Sequence, residues 1–99
     1  MKKYKMRFTP EGSRLISKFH PENKKQLKRA LQDLQKDPYI GGDLQEELYG
    51  FKSFKIKRYR ILYNINEEDY FIQIYHVGQR RDVYEQFRRL LNEFHEKSS

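Results

Sequence analysis

The chain has 99 residues, no cysteine, a hydrophobic share of 36% and 21 Lys plus Arg against 14 Asp plus Glu, for a formal net charge of +7. That length supports one hydrophobic core, and the missing cysteines exclude disulfides, thiolate nucleophiles and thiolate metal ligands. The three histidines lack ligand spacing and no apolar run has the length of a signal peptide or membrane span, so a cytoplasmic protein with no metal, small-molecule cofactor or membrane is expected.

Lys5 to Thr9 alternates polar and apolar residues and predicts a short first strand, closed by a turn at Pro10-Glu11-Gly12. From Ser13 the spacing turns helical. Leu15, Ile16 and Phe19 share a face, and His20-Pro21 ends the helix because a residue before proline is driven out of the αR region. Pro21 then suits the first turn of a second helix, with Leu27, Ala30, Leu31 and Leu34 as its apolar stripe. Lys24, Lys25, Lys28, Arg29 and Lys36 take the other side; such cations can contact a nucleic-acid backbone, but amphipathic helices carry them by default, and a solvated face is the preferred reading.

Asp37-Pro38 stops that helix, and Tyr39 to Gly50 reads as a loop with at most one helical turn. Ser53 to Ile65 and Tyr70 to Val77 read as strands, with a polar turn at Asn66 to Asp69. After Gly78, helical spacing returns at Val83, Phe87, Leu90, Leu91 and Phe94. The expected architecture is one small α+β domain over residues 1–99, in the order β-α-α-β-β-β-α. An antiparallel-rich sheet is packed by two N-terminal helices and a C-terminal helix.

Charge and aromatics are densest from Phe54 to Tyr63. A tight turn at Arg58-Tyr59 would pair Lys57 with Arg60, Ile56 with Ile61, Lys55 with Leu62 and Phe54 with Tyr63. Phe54, Ile56, Ile61 and Tyr63 then share the core face, while Lys55, Lys57 and Arg60 share the other. An unbroken strand would bury Arg58 and Arg60 beside Phe54, Ile56 and Leu62, which the desolvation cost of charge opposes. Neither Arg58 nor Tyr59 suits a primed turn, so a longer bend or a bulge stays open. A second segment, Val77 to Tyr84, leaves the last strand at Gly78; Arg80 can project over the same face as Arg60, and Tyr84 can close its edge. Four cations and an aromatic on one surface make an anion site. His76 is in strand phase with Ile72 and Ile74 and reads first as structural, second as an acid or base. Asp82 reads as a helix cap or the partner of a neighbouring arginine, ahead of a base.

At these residues the sequence resembles the RelE family of toxins from prokaryotic toxin-antitoxin pairs. The resemblance rests on Lys-Ile-Lys at 55–57, Tyr-Arg-Ile-Leu-Tyr at 59–63, Val-Gly-Gln-Arg at 77–80 and Asp-Val-Tyr at 82–84, with Asp37-Pro38 and Leu48-Tyr49-Gly50 upstream. It covers roughly the whole chain and is strongest from Leu48 to Tyr84. It implies a ribosome-dependent endoribonuclease that enters the decoding site, cuts messenger RNA and is silenced by a cognate antitoxin wrapped around it. It also implies catalytic positions at Lys55, Lys57, Arg60, Arg80 and Tyr84; the neighbouring Lys52, Arg58, Tyr59 and Arg81 are expected to contact RNA. The chain departs from the family between Lys57 and Arg60, where only Arg58 and Tyr59 stand in place of a longer, glycine-containing turn. Lys52 is the alternative occupant of one lysine position.

Passing a phosphate to the neighbouring 2′-hydroxyl needs a base for that hydroxyl, cations for the charge on the phosphorane and a proton for the departing 5′-oxygen. Arginines meet the second need without titrating, lysines add charge or act as base where clustered cations make them give up a proton, and a tyrosine can stack on a base. A metal-independent messenger-RNA interferase is therefore the leading expectation. Two alternatives come from other classes. The ParE branch of the superfamily shares the fold and poisons DNA gyrase without a nuclease site. A non-catalytic RNA-binding module would interleave exposed aromatics with the basic residues, and Tyr59 is the one obvious example on the hairpin.

Overall fold

The computed structural model describes residues 4–98, with side chains through Glu93. Strands β1 (Lys5–Phe8), β2 (Gly42–Asp43), β3 (Lys52–Ile56), β4 (Tyr59–Asn66) and β5 (Phe71–Gln79) form one sheet in the order β1-β5-β4-β3-β2. β1 runs parallel to β5, and the other neighbouring pairs are antiparallel. Helices α1 (Pro10–Ser17) and α2 (Pro21–Lys36) precede β2, and α3 (Val83–Ser98) follows β5. The α+β architecture is as expected. Its one added strand, β2, lies within the stretch read as a loop, between 3₁₀ turns at Pro38–Ile40 and Glu46–Leu48.

Helix α1 starts at Pro10, three residues before the expected Ser13. Thr9 is the reason: its Oγ1 accepts the Gly12 N–H at 3.0 Å, an N-cap bond, while Pro10 occupies a first-turn position whose N–H would have had no partner. Gly12 is buried in the helix, and a Cβ there would stand 2.7 Å from the Ile74 carbonyl oxygen. Glycine lets α1 lie directly on β5. α2 follows its pattern, burying Leu27, Ala30 and Leu34.

Both faces of the sheet are covered. On one, α2 packs against Ile61, Tyr63, Ile72, Ile74 and Val77, with Phe54 and Ile56 half-buried at the margin. On the other, Val83 and Phe87 of α3 pack with Leu48 and Leu62. Tyr63 also ties the loop to the sheet. Its hydroxyl donates to the Pro38 carbonyl at 2.7 Å and accepts the Gly41 N–H at 3.2 Å, and burial pushes its pKa up to about 12.

The β3–β4 register corrects the expected hairpin. The turn is Lys57-Arg58 instead of Arg58-Tyr59, and the pairs are Ile56 with Tyr59, Lys55 with Arg60, Phe54 with Ile61 and Lys52 with Tyr63. The slip is by two residues, an even number, so the faces are conserved: Phe54, Ile56, Ile61 and Tyr63 stay together, and Lys55 stays with Arg60. Only Lys57 leaves the strand. It takes φ 51°, the first central position of a two-residue loop that normally belongs to glycine. A side chain in this left-handed region costs about 1–2 kcal/mol. Lys57→Gly is therefore expected to raise stability by up to about 1 kcal/mol after the added chain entropy of glycine is subtracted, read as a higher urea midpoint. An unchanged or lower midpoint would show that the turn stores no strain.

Candidate functional site

Two basic segments far apart in the chain meet at the end of the sheet. The Arg80 backbone N–H donates to the Arg58 carbonyl at 2.7 Å, fastening the exit of β5 to the β3–β4 turn. Between them lies a cleft of about 460 Å³ lined by Lys57, Arg58, Gln79, Arg80 and Arg81. The Lys57, Arg58, Arg80 and Arg81 side chains are exposed and form no ion pair among the described residues. Four unneutralised cations around one concavity focus a field that attracts a polyanion.

Arg60 stands behind the turn, cross-strand from Lys55. It is half-buried, and its Nη1 donates to the Tyr59 carbonyl at 2.9 Å and the Lys57 carbonyl at 3.2 Å. Nε and Nη2 have no partner among the described residues, so the guanidinium braces the turn and keeps donors for an anion. Tyr84, in the first turn of α3, places its hydroxyl 3.0 Å from Ser53 Oγ. Ser53 precedes Lys55 by two residues on the same side of β3, which sets the tyrosine about 7 Å along the strand from the lysine position.

The sequence-predicted residues thus divide. Lys57, Arg58, Arg80 and Arg81 line one cleft, while Lys55, Arg60 and Tyr84 stand on the adjoining α3 face. Lys52 and Tyr59 are elsewhere. Strand parity turns Lys52 to the α2 face, where its ammonium pairs with Asp43 at 2.6 Å and lies over the Tyr39 ring at 5.6 Å. Tyr59 also faces α2: its ring is 5.0 Å from that of Phe19, and its hydroxyl accepts from Asn23 Nδ2 at 3.4 Å. A ring held in that way is not free to stack on a base. Two residues not singled out beforehand belong to the site. Gln79 lies in the quoted Val-Gly-Gln-Arg run, and Ser53 could have been found by counting back two from Lys55.

His76 is not in phase with Ile72 and Ile74. Leu62 pairs with His76 but Tyr63 pairs with Ile74, so a bulge at Tyr75 turns both Tyr75 and His76 to the α3 side. There His76 is 4% exposed, its Nε2 is 3.3 Å from Gln86 Oε1, its ring centroid is 6.0 Å from that of Phe87 and its Nδ1 has no partner among the described residues. Burial lowers its pKa below the ordinary 6.5. The unfolded chain then binds the proton more readily, so the neutral ring contributes stability above about pH 6.5 that is lost as pH falls through the lower folded value. Denaturation across that range should show the wild type losing stability relative to His76→Gln. Parallel profiles would contradict the buried neutral ring.

Asp82 directly precedes α3, and its carbonyl accepts the Gln86 N–H at 3.0 Å, the opening bond of the helix. Phe94, expected on the apolar stripe of α3, has its side chain outside the described residues.

The fold and sequence have clear relatives. A chain of the toxin-antitoxin complex RelBE2 from Mycobacterium tuberculosis is 32% identical, with a TM-score of 0.73, over 79% of this chain and 99% of that one. The isolated RelE toxin of E. coli is 21% identical, with a TM-score of 0.68, over 89% of this chain and 98% of its own. The YoeB/ParE toxin from Agrobacterium tumefaciens shares the fold at 12% identity, with a TM-score of 0.68, over 77% of this chain and 98% of its own. No curated protein matches at the sequence level. The sequence model for the ParE-like toxin of type II bacterial toxin-antitoxin systems matches residues 6–88. With that match over most of its length, the chain belongs to the ParE-like toxin family, within the RelE/ParE superfamily of type II toxin-antitoxin systems.

Proposed function

We propose that this toxin is an endoribonuclease that cuts messenger RNA in the ribosomal decoding site and is held silent by a cognate antitoxin. The observation that carries the reading is the cleft in which the Arg80 amide fastens the Lys57-Arg58 turn to the Arg80-Arg81 exit, since it gathers unpaired cations where a phosphodiester can sit. The 2′-hydroxyl of the nucleotide 5′ to the scissile bond attacks phosphorus, forming the O2′–P bond as the P–O5′ bond breaks. Arg80 and the free edge of Arg60 stabilise the added charge of the phosphorane, and the leaving 5′-oxygen takes up a proton. Lys55 and Lys57 add field and supply the candidates for proton transfer, and Tyr84 supplies a ring at the edge of the site. The RNA brings its own nucleophile, so the bond-breaking step calls on no metal.

An antitoxin partner is supported by the toxin-antitoxin complexes among the relatives. An acidic amphipathic segment lying over Arg60 and Arg80, or replacing α3 on its apolar bed, would silence such a site. The test is cleavage on ribosomes of a messenger carrying 2′-deoxyribose just 5′ of the scissile phosphate. The expected result is loss of the cut at that bond alone, with a 2′,3′-cyclic phosphate or its hydrolysis product on the all-ribose control. Continued cutting of the deoxy substrate would make water the nucleophile and overturn the mechanism. No cleavage of any messenger, together with inhibition of gyrase supercoiling, would assign the gyrase-poisoning activity of the ParE branch instead.

A further inference from the structure

On the α2 side of the hairpin tip lies a second concavity, a groove of about 200 Å³ between α2 and β3. Gln26, Arg29, Ala30 and Asp33 line it from the helix, and Phe54, Lys55, Ile56 and Lys57 line it from the strand and turn, with Lys55 there by its place at the strand end, since its face of β3 is the α3 side. Lys57 is therefore common to the groove and to the Arg80 cleft. One helical turn before Arg29 stands Lys25, with Lys24 and Lys28 beside it, all exposed. Arg14, Lys52, Arg88 and Arg89 are each bonded to a carboxylate, whereas Lys24, Lys25, Lys28, Arg29, Lys55 and Lys57 form no ion pair among the described residues. Asp33 is the one carboxylate in the groove lining and ends the basic run a turn beyond Arg29.

Resting on the nuclease reading, we infer that the groove between α2 and β3 is a second RNA subsite, in which Arg29 and Lys25 hold backbone phosphates of nucleotides flanking the one cleaved in the Arg80 cleft. Lys57 is the hinge between the two. A run of cations with no acidic partners matches a phosphate backbone, which offers charge at regular intervals and asks for little else. Ala30, Phe54 and Ile56 give the groove an apolar floor with Arg29 and Lys57 beside it, and an aromatic ring among cations suits a base lying between held phosphates.

The test is RNA affinity as a function of salt, using single-stranded 2′-O-methyl oligonucleotides of about four and about twelve nucleotides with the full chain. These probes cannot be cut through a 2′-hydroxyl, so binding is read apart from chemistry. The longer probe should bind wild type more tightly and with the steeper salt dependence. In the exposed double variant Lys25→Gln/Arg29→Gln, the slope of log K against log salt for the longer probe should flatten by about 1.4, at roughly 0.7 per lost phosphate contact. Binding of the short probe should not change, and Arg29→Lys should retain the slope of the longer one. An unchanged slope in the double variant, equal losses on both probes, or weakened antitoxin binding with intact RNA binding would overturn the second subsite. A length-dependent loss in a protein that cuts no messenger would instead uphold the groove and refute the nuclease reading.

Discussion

Arg80→Ala should lower the single-turnover rate of messenger cleavage by at least roughly a hundredfold, the scale on which removal of one charge-stabilising donor acts. Arg80 is a cleaner probe than Arg60 for a structural reason. Among the described residues, the only hydrogen bond that fastens Arg80 is made by its backbone N–H to the Arg58 carbonyl, and alanine keeps that N–H. The Arg60 guanidinium, in contrast, braces the turn through two carbonyls, so Arg60→Ala removes a cation and loosens the hairpin together. Arg80→Ala should leave the unfolding midpoint unchanged, whereas Arg60→Ala should lower both midpoint and rate. Arg80→Lys should recover only part of the loss, because an ammonium restores charge without the planar fork that meets two phosphate oxygens. Full activity of Arg80→Ala on ribosomes would remove this residue from the chemistry.

Phe87→Ala should destabilise the fold by about 3–5 kcal/mol, the range for truncating a buried phenylalanine. The side chain is 0% exposed at the centre of the α3 face. Its ring meets Phe51 edge-on at 4.9 Å and lies 6.0 Å from both Tyr75 and His76. Substitution leaves a void under α3 and strips several aromatic contacts at once. A domain of this size has about 5–15 kcal/mol in total, so much of its stability is at stake. Urea denaturation reads the loss directly, and a change below about 1 kcal/mol would mean that α3 contributes little to the folded state. Activity should fall too, since Tyr84 shares the first turn of the helix that Phe87 anchors.

Local chemistry decided much of this molecule. The Leu27, Ala30, Leu34 stripe specifies α2 by itself, because a 3.6-residue period is a property of consecutive residues. Strand alternation likewise sorted Phe54, Ile56, Ile61 and Tyr63 from Lys55 and Arg60, and that sorting survived a register slip because the slip was even. The basic residues of the site were legible for the same reason: their types and order lie in two short runs.

What lay between distant segments was decided only by the tertiary structure. With the turn at Lys57-Arg58, Tyr59 joins the strand opposite Ile56 and sets its ring on Phe19, packing gained against the left-handed backbone imposed on Lys57. The bulge at Tyr75 reverses the phase of His76, since the aromatic cluster under α3 takes Tyr75 and His76 on the same side. Lys52 and Tyr59 sit among basic residues in sequence but turn to α2, because side chains one apart on a strand face opposite ways. The union of Lys57 with Arg80, and of Lys57 with Arg29, depends on a sheet and a helix that bring together residues 20 or more positions apart. No local pattern encodes such a meeting, because cross-strand pairing and helix docking set it only once the whole core has formed.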